Sequence, residues 1–188
     1  GVKETVFEEI AMGLENLGVS REDMIRRTVQ IIRDLGIEDI MDKNPNALSG
    51  GQKQRVAFAS IIVMEPPIIV IDEPTSQLDP HGTDMIFEII YKMKERGKTI
   101  LLVEHKVDLL ADYADEILVL NKGELVAHGP TREILTDDSL LNQGTAIPEV
   151  ALLGRDLKLD GLNLPEIPIT IQRAAEVLSS FVTLGAGS

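Results

Sequence analysis

The chain has 188 residues, 44% of them hydrophobic, and its 31 acidic residues outnumber 18 basic ones, which gives a net charge of −13. A chain of this length and hydrophobicity can bury one substantial core, which excludes a disordered tail and predicts one globular unit with attached subdomains. The acidic balance argues against a surface that neutralises nucleic-acid phosphates or lies on anionic lipid, so we expect no nucleic-acid partner.

Two further features limit the kind of protein this can be. The sequence contains no cysteine, which excludes disulfides and thiolate metal sites and permits a cytosolic location. Its longest apolar stretch, residues 61–71, is broken by Glu65, Pro66 and Pro67, and it is far shorter than the roughly 20 apolar residues of a membrane helix. We therefore expect no direct membrane insertion. No secretory leader is visible, and the start at Gly1 suggests a cut end.

Helical periodicity dominates the chain up to about residue 45. Residues 5–17 place their apolar side chains on one stripe, with acidic residues near the start, where the helix dipole favours them. Ser20, with Asp23 three residues later, resembles a capping box for a second helix that stops at Gly36. The sequence therefore opens with a small all-α layer.

The middle of the chain alternates between helix and strand patterns. A helical pattern over residues 50–64 is followed by the β-branched run 68–71, which predicts a strand buried on both faces of a parallel sheet. A helix over residues 85–93 and a second buried strand over residues 99–103 come next. This order of strand, helix and strand is a βαβ unit.

The last third of the sequence has two parts. Residues 116–120 and 124–128 flank Lys122-Gly123 and predict an edge hairpin. Beyond Gly144, prolines and glycines become frequent and a short helix is predicted over residues 170–182. We interpret this last part as an appended C-terminal extension.

A glycine pair stands at the start of the third predicted helix. Ser49 precedes Gly50, Gly51 and Gln52, and helix capping alone would explain the serine. Capping does not explain two glycines, each of which costs about 1 kcal/mol in helix propensity. Exposed N–H groups, a hydroxyl and the positive end of a helix dipole instead form a natural seat for an anion. Phosphate binding and simple helix capping are therefore both kept as interpretations of this turn.

Two adjacent carboxylates, Asp72 and Glu73, follow the first predicted strand. They stand at its C-terminal end, where open α/β sheets place their ligands. Solvated acids in a turn would explain Glu73 alone, but they explain the pair after a buried strand poorly. Asp72 is our candidate ligand for Mg²⁺, which prefers oxygen donors, and Glu73 is our candidate general base.

Two other polar residues are weaker candidates. Asp79 lies in a turn before the next helix and could simply cap that helix. His105 follows the second predicted strand, which would put an imidazole on the same rim as the two carboxylates. A lone histidine is more often structural, so both interpretations stay open.

A phosphate-cradling loop of the form G-x-x-x-x-G-K-S/T is not found. Gly97-Lys98-Thr99 is a partial match, but Lys92 occupies the place of the first glycine. A helix also ends and a strand begins there, whereas a P-loop follows a strand and opens a helix. Gly97 is better explained as the end of a helix.

Taken in order, these motifs resemble those of an ATP-binding-cassette (ABC) ATPase. Residues 48–52 resemble the family's signature motif, and residues 68–73 resemble its Walker B strand with catalytic glutamate. Residues 76–79 are similar to its D-loop, although Gln77 stands where alanine is common, and His105 stands at its switch histidine. The resemblance extends from residue 5 to the region of residue 128.

The resemblance implies a fold and a division of the chain. The fold would be an α/β P-loop NTPase (ABC ATPase) core, a largely parallel sheet flanked by helices, with an α-helical subdomain and a C-terminal extension. Residues 1–48 would be the remainder of the helical subdomain, 49–141 the signature helix and the Walker B, D-loop and H-loop half of the core, and 142–188 the extension. The first part of the fold, with the P-loop, would be absent.

The resemblance also implies roles for single residues and two cofactors, ATP and Mg²⁺. Two cassettes would close head to tail over two ATP molecules, as a homodimer or a heterodimer. By this resemblance, the γ-phosphate of the ATP held by the partner would be contacted by Ser49, Gly50, Gly51 and Gln52. Asp72 would bind Mg²⁺, and Glu73 would activate water. His105 would contact the γ-phosphate, and Asp79 would communicate across the dimer.

Within the family, residues 5–16 resemble the helical subdomain of energy-coupling-factor ATPases, importers of cobalt, nickel and vitamins. Residues 147–149, Gly161, Pro165 and residues 168–170 are similar to their C-terminal extension. We therefore expect the ATP-hydrolysing subunit of a membrane importer, bound to a transmembrane subunit and peripheral on the cytoplasmic face of the cell membrane.

Two alternatives remain open. Soluble ABC ATPases of DNA repair or translation carry the same motifs, although the acidic charge and the absence of long heptads and iron–sulfur cysteines argue against them. The chain could also be a fragment without activity, because no P-loop is present to cradle the phosphates of its own nucleotide.

Overall fold

The computed structural model describes residues 4–141 and 146–185. These residues fall into two compact units that divide between Glu104 and His105. None of the helices within the described ranges combines the length and apolarity that crossing a membrane requires.

The first unit opens with the predicted helical layer. Helix α1 spans Val6–Asn16 and helix α2 spans Arg21–Asp34, followed by two 3-10 turns at Glu38–Ile40 and Pro45–Ala47. Thr5 and Glu8 cap α1 reciprocally. The N–H of Asp23 donates to Ser20 Oγ at 3.3 Å and caps α2, as the sequence predicts.

A βαβ unit follows, as predicted. Helix α3 (Gly50–Ile62) leads to strand β1 (Ile68–Asp72), helix α4 (Pro80–Glu95) and strand β2 (Thr99–Val103). The two strands are parallel, with Ile68 opposite Thr99 and Asp72 opposite Val103. Helix α4 begins earlier than its apolar pattern indicates, because Asp79 caps it and Pro80 occupies its first position.

The core of the first unit joins the helical layer to the βαβ unit. Apolar stripes of α1 to α4 and the inward side chain of β1 form one buried cluster, which contains most of the apolar residues that the helical spacing predicts. Leu17 and Ile25 are exceptions, because they are 62% and 42% exposed. The largest side chains that are fully buried in this unit are Phe87, Ile10, Leu14, Ile32, Leu35, Ile37, Ile40, Ile86 and Ile89.

The prediction that both strands are buried on both faces is wrong. Ile69 is 2% exposed, whereas its neighbours Ile68 and Val70 are 63% and 65% exposed. Leu101 and Val103 on β2 are likewise exposed. Within the described residues this sheet has two strands, and the core covers one face of it, so alternate side chains remain in solvent.

The second unit contains the predicted hairpin. Strand β3 (Glu116–Asn121) pairs antiparallel with strand β4 (Glu124–Pro130). Lys122 and Gly123 connect them with φ angles of 51° and 84°, which are the values of the tight turn that matches strand twist.

Helices surround this hairpin in the chain. The short helix α5 (Val107–Tyr113) precedes it. The described residues after it form the helices α6 (Thr131–Leu135), α7 (Asp138–Leu141), α8 (Glu149–Leu159) and α9 (Ile171–Gly185). A separate apolar cluster forms the core of this unit, and its buried members are Ala111, Ile117, Ile134, Leu135, Leu140, Ile147, Ala151 and Ile169.

The structure confirms the helix predicted near residue 170 and adds α8, which the sequence analysis did not predict. Gly144, and the boundary drawn at residue 142, lie outside the described residues. The division into 1–48, 49–141 and 142–188 stays a prediction.

Candidate functional site

The first turn of α3, residues 49–52, has the geometry of a capped helix start. Gln52 N–H donates to Ser49 Oγ at 3.3 Å, and Ser49 N–H donates to Gln52 Oε1 at 3.0 Å. The N–H groups of Gly50 and Gly51 have no acceptor within the helix, because a helix leaves its first donors unpaired. This turn is therefore suited to an anion.

The two glycines also have a reason within the chain. A Cβ atom at Gly50 would lie 2.5 Å from Gln77 Oε1, and one at Gly51 would lie 3.0 Å from the Gln77 carbonyl oxygen. Sequence reasoning attributed both glycines to an approaching ligand and missed this contact. The only signal for it in the sequence is Gln77 itself, which stands where the resembling family commonly has alanine.

The two candidate carboxylates stand at the C-terminal end of β1. Asp72 is the last residue of the strand and is exposed. Glu73 is partly buried, and its N–H donates to the Val103 carbonyl oxygen at 2.9 Å, which continues the ladder to β2. The parallel pairing with β2 thus sets the backbone position of both residues at the end of β1.

Glu73 has an unusual backbone conformation. Its φ angle is 44°, in the left-handed region that side-chain-bearing residues rarely adopt. Such conformations cost about 1 kcal/mol or more and cluster at ligand sites, where the surrounding contacts hold them. One of those contacts is with α3, because Gln54 Nε2 donates to the Glu73 carbonyl oxygen at 3.2 Å.

The segment after Glu73, residues 73–79, is an ordered loop that we call the acidic loop. Within it, Ser76 N–H donates to the Glu73 carbonyl oxygen at 3.3 Å, and Leu78 N–H donates to the Thr75 carbonyl oxygen at 3.2 Å. Thr75 is buried, and its hydroxyl donates to Glu104 Oε2 at 2.9 Å. The acidic loop is thus tied to the end of β2.

Asp79 ends the acidic loop as a helix cap. Its Oδ1 accepts a hydrogen bond from Gly82 N–H at 2.8 Å, so the capping interpretation of the sequence is right. A Cβ atom at Gly82 would lie 2.9 Å from this oxygen, which explains the glycine in the first turn of α4. A role of Asp79 in communication between subunits stays a prediction.

His105 belongs to the second unit, of which it is the first residue, and its side chain is exposed. The structure thus places the first turn of α3, the two carboxylates and Asp79 in the first unit, and His105 in the second. The catalytic role assigned to His105 stays a prediction.

The residues present fit one mode of Mg²⁺ binding. Among residues 4–141 and 146–185, no group of three or more His, Asp or Glu side chains is placed to hold a metal ion. Asp72 offers a single exposed carboxylate. Mg²⁺ usually keeps several waters and is held by one or two carboxylates together with substrate phosphates. Asp72 therefore fits an ion that arrives with a nucleotide.

Known proteins are similar in sequence to this chain over almost its whole length. The chain is 40% identical over 178 residues to the energy-coupling factor transporter ATP-binding protein EcfA2 of Streptococcus agalactiae serotype Ia, covering 94% of this chain and 64% of that protein. It is 39% identical over 184 residues to the protein of the same name from Clostridium perfringens, covering 96% and 65%. The chain therefore spans somewhat less than two thirds of these relatives.

Solved structures share the fold. One is described as cbiO1 from Clostridium perfringens, part of the ABC transporter complex cbiONQ, with 31% identity, a TM-score of 0.61 and coverage of 84% of this chain and 61% of that chain. Another is a dimeric ATP-binding cassette in a post-hydrolysis state bound to ADP and Pi, with 30% identity, a TM-score of 0.63 and coverage of 70% and 59%. These neighbours show that the fold is that of ABC ATPase domains.

The family match falls on the residues that form the site. The model of the ABC transporter family matches residues 2–76, a span that contains the first turn of α3, both carboxylates and the start of the acidic loop. Sequence relatives, structural neighbours and the family model thus agree that the chain is similar to the ABC transporter ATPases in sequence and in fold.

Proposed function

We propose that this chain contributes ATP-binding and ATP-hydrolysing residues to the ATPase subunit of an energy-coupling-factor importer. One observation carries the proposal: the side chain of Gln54, in the second turn of the anion-suited helix α3, donates to the backbone carbonyl oxygen of Glu73, the acid that follows β1. Cleavage of a phosphoanhydride needs both parts, one for the phosphate charge and one for the attacking water. In a head-to-tail dimer, each chain would supply one part to each of the two nucleotides. The names of the relatives support the type of transporter.

Each part of the site has a proposed task. The N–H groups of Gly50 and Gly51, with the Ser49 hydroxyl, bind the terminal phosphate of an ATP molecule through the positive end of α3. Gln52 completes this turn through the capping box. Asp72 holds Mg²⁺, which when bound neutralises charge on the phosphate oxygens.

Glu73 is the proposed general base. Its carboxylate accepts a proton from the attacking water, and its backbone is fixed on both sides by the hydrogen bonds to Val103 and Gln54. A base held in this way needs little reorganisation before the reaction. His105 is proposed to contact the γ-phosphate.

The proposal extends to assembly. ATP would close a dimer of two ABC ATPase subunits, so that the first turn of α3 acts on the nucleotide held by the partner and Asp79 lies at the dimer contact. The dimer would bind a transmembrane subunit on the cytoplasmic face of the membrane and power the uptake of cobalt, nickel or a vitamin.

We also propose that residues 1–188 alone do not turn over ATP, because they contain no P-loop sequence.

The test is Glu73→Gln in the protein as the cell makes it. We expect ATP hydrolysis to fall by about 100-fold or more, because the amide cannot take the proton, while ATP binding is retained. Glu88→Gln, at an exposed position on α4, is the matched control and should leave turnover unchanged. Rapid hydrolysis by the Glu73→Gln protein would remove Glu73 from its role.

The transporter assignment has its own test. Purification of the protein from detergent-solubilised membranes should bring hydrophobic subunits with it. Salt-sensitive retention on nucleic acid, without such subunits, would instead favour a soluble ABC ATPase of DNA repair or translation.

A further inference from the structure

Gln77 contacts the first turn of α3 in two different ways. A Cβ atom added to Gly50 would lie 2.5 Å from the side-chain Oε1 of Gln77. A Cβ atom added to Gly51 would lie 3.0 Å from the backbone carbonyl oxygen of Gln77. Both distances are shorter than an ordinary van der Waals contact, so a methyl group at residue 50 would displace the carboxamide of Gln77, and one at residue 51 would press on its backbone oxygen.

The side chain of Gln77 is not held there by burial. It is exposed, so packing in the core does not explain why its carboxamide rests against α3. The first turn of α3 does not need it as a cap either, because Ser49 and Gln52 already cap each other. A side chain that ended at Cβ could not reach Gly50. The contact thus depends on a long residue at this position.

The contacts of Gln77 complete a link between two parts of the site. Gln54, in the second turn of α3, holds the carbonyl oxygen of Glu73 at the start of the acidic loop. Gln77 touches the first turn of α3 from the middle of the same loop. The acidic loop thus meets α3 at two points, through the hydrogen bond of Gln54 and the close approach of Gln77. Both contacts bear on the position of Glu73 relative to the N–H groups of the first turn.

We propose that Gln77 is a positioning residue of this site. Its carboxamide packs against Gly50 and sets where the anion-binding N–H groups stand relative to Glu73. This inference rests on the proposed function and deepens it, because it assigns a task to a residue that touches neither of the proposed reacting groups.

The first experiment measures the contact without ATP. The urea unfolding midpoint is compared for Gln77→Ala, Gly50→Ala and the double variant, in the protein as the cell makes it. We expect Gly50→Ala to lower the midpoint more with Gln77 present than with alanine at 77, because its new methyl group must then displace the carboxamide. Equal shifts in both backgrounds would overturn the inference.

Gly51→Ala is the matched control for this cycle. A methyl group at residue 51 meets the backbone oxygen of residue 77 and not its side chain. Its effect on the midpoint should therefore be the same with glutamine or alanine at 77. If Gln77→Ala reduced the loss of midpoint caused by Gly51→Ala, the side chain of Gln77 would not act on Gly50 specifically. This result would also count against the inference.

The second experiment separates positioning from stability. In ATP hydrolysis, Gln77→Ala should lower kcat about 5-fold or more, a typical size for coupling between sites, whereas Gln77→Met, which keeps the length, should restore it. Gln77→Glu should raise the KM for MgATP, and added salt should reduce the rise, because its charge opposes the phosphate.

The kinetic results can overturn the inference about Gln77 and the proposed function independently of each other. If Gln77→Met and Gln77→Ala are equally impaired, or if Gln77→Glu has the KM of Gln77→Ala, the inference fails. If Glu73→Gln hydrolyses ATP normally, the proposed function fails, while the coupling between residues 50 and 77 in the unfolding experiment is unaffected.

Discussion

The side-chain amide nitrogen of Gln54 lies 3.2 Å from the backbone carbonyl oxygen of Glu73. This bond joins α3 to a residue in the left-handed backbone region. The other polar atom of the same amide, Gln54 Oε1, is buried and has no hydrogen-bond partner among the described residues. An unpaired buried acceptor costs stability. An apolar residue at 54 would avoid that cost, but it could not donate a hydrogen bond to Glu73.

The first prediction follows from this bond. Gln54→Ala should lower the free energy of unfolding by only about 1 kcal/mol, because the lost hydrogen bond is offset by removal of the unpaired oxygen. The kcat for ATP should fall about 10-fold or more, because the backbone of Glu73 loses its hydrogen bond to α3 and a small misplacement of a catalytic group is costly. Urea unfolding and steady-state kinetics measure the two effects.

Gln30→Ala is the control for this change. Gln30 Nε2 donates to Asp34 Oδ1 at 2.9 Å on the exposed side of α2, so the variant also loses a glutamine hydrogen bond. It should leave both stability and kcat near their normal values. A Gln54→Ala protein with normal kcat would show that the bond does not position Glu73.

The second prediction concerns the cap of α4. Asp79→Ala removes the acceptor for Gly82 N–H and should destabilise the protein by about 1 kcal/mol, the usual cost of losing a helix cap. Asp79→Asn keeps an oxygen acceptor and should recover most of the loss. Thermal unfolding of both variants, with Asp84→Ala at an exposed site within α4 as control, checks this. Equal losses for alanine and asparagine would contradict it.

The third prediction concerns the buried hydroxyl of Thr75. Thr75 is 2% exposed and donates to Glu104 Oε2 at 2.9 Å. Thr75→Val keeps the shape but removes the donor to a carboxylate, so we expect a loss of about 2 kcal/mol in the free energy of unfolding. Thr75→Ser keeps the hydroxyl and should lose less. A valine variant as stable as the unmodified protein would mean that this bond contributes nothing.

Local patterns were enough to predict most of the first unit. The helices of the opening layer, the βαβ unit and the caps at Ser49 and Asp79 follow from residue spacing within one element, and all are observed. The hairpin around Lys122-Gly123 was predictable for the same reason, since a two-residue turn sets its own pairing.

Features that depend on distant parts of the chain were not predictable. The β-branched run of β1 indicates burial on both faces, but actual burial depends on what packs there, and Val70 is exposed. The contact of Gln77 with Gly50 and the bond of Gln54 to Glu73 join segments far apart in sequence. No periodicity records such contacts, so only the structure reveals them.

The last prediction concerns acid stability of the second unit. Glu166 forms ion pairs with Arg173 and Arg132. The hydrogen bond from Arg173 and the positive charge of both arginines hold the pKa of Glu166 below its ordinary value of 4.5. Because the folded state favours the ionised carboxylate, this contribution to stability is present above the ordinary pKa and is lost as the pH falls through the lowered one.

Glu166→Gln should therefore destabilise the protein at neutral pH and flatten the fall in its urea midpoint on acidification. Asp112 gives a control of opposite sign, because burial raises the pKa of its carboxyl group, with a further contribution from Asp108. A raised pKa lowers stability as the pH rises through it, so Asp112→Asn should stabilise the protein at neutral pH. Parallel pH profiles for Glu166→Gln and the unmodified protein would show that the ion pairs of Glu166 do not contribute to folding.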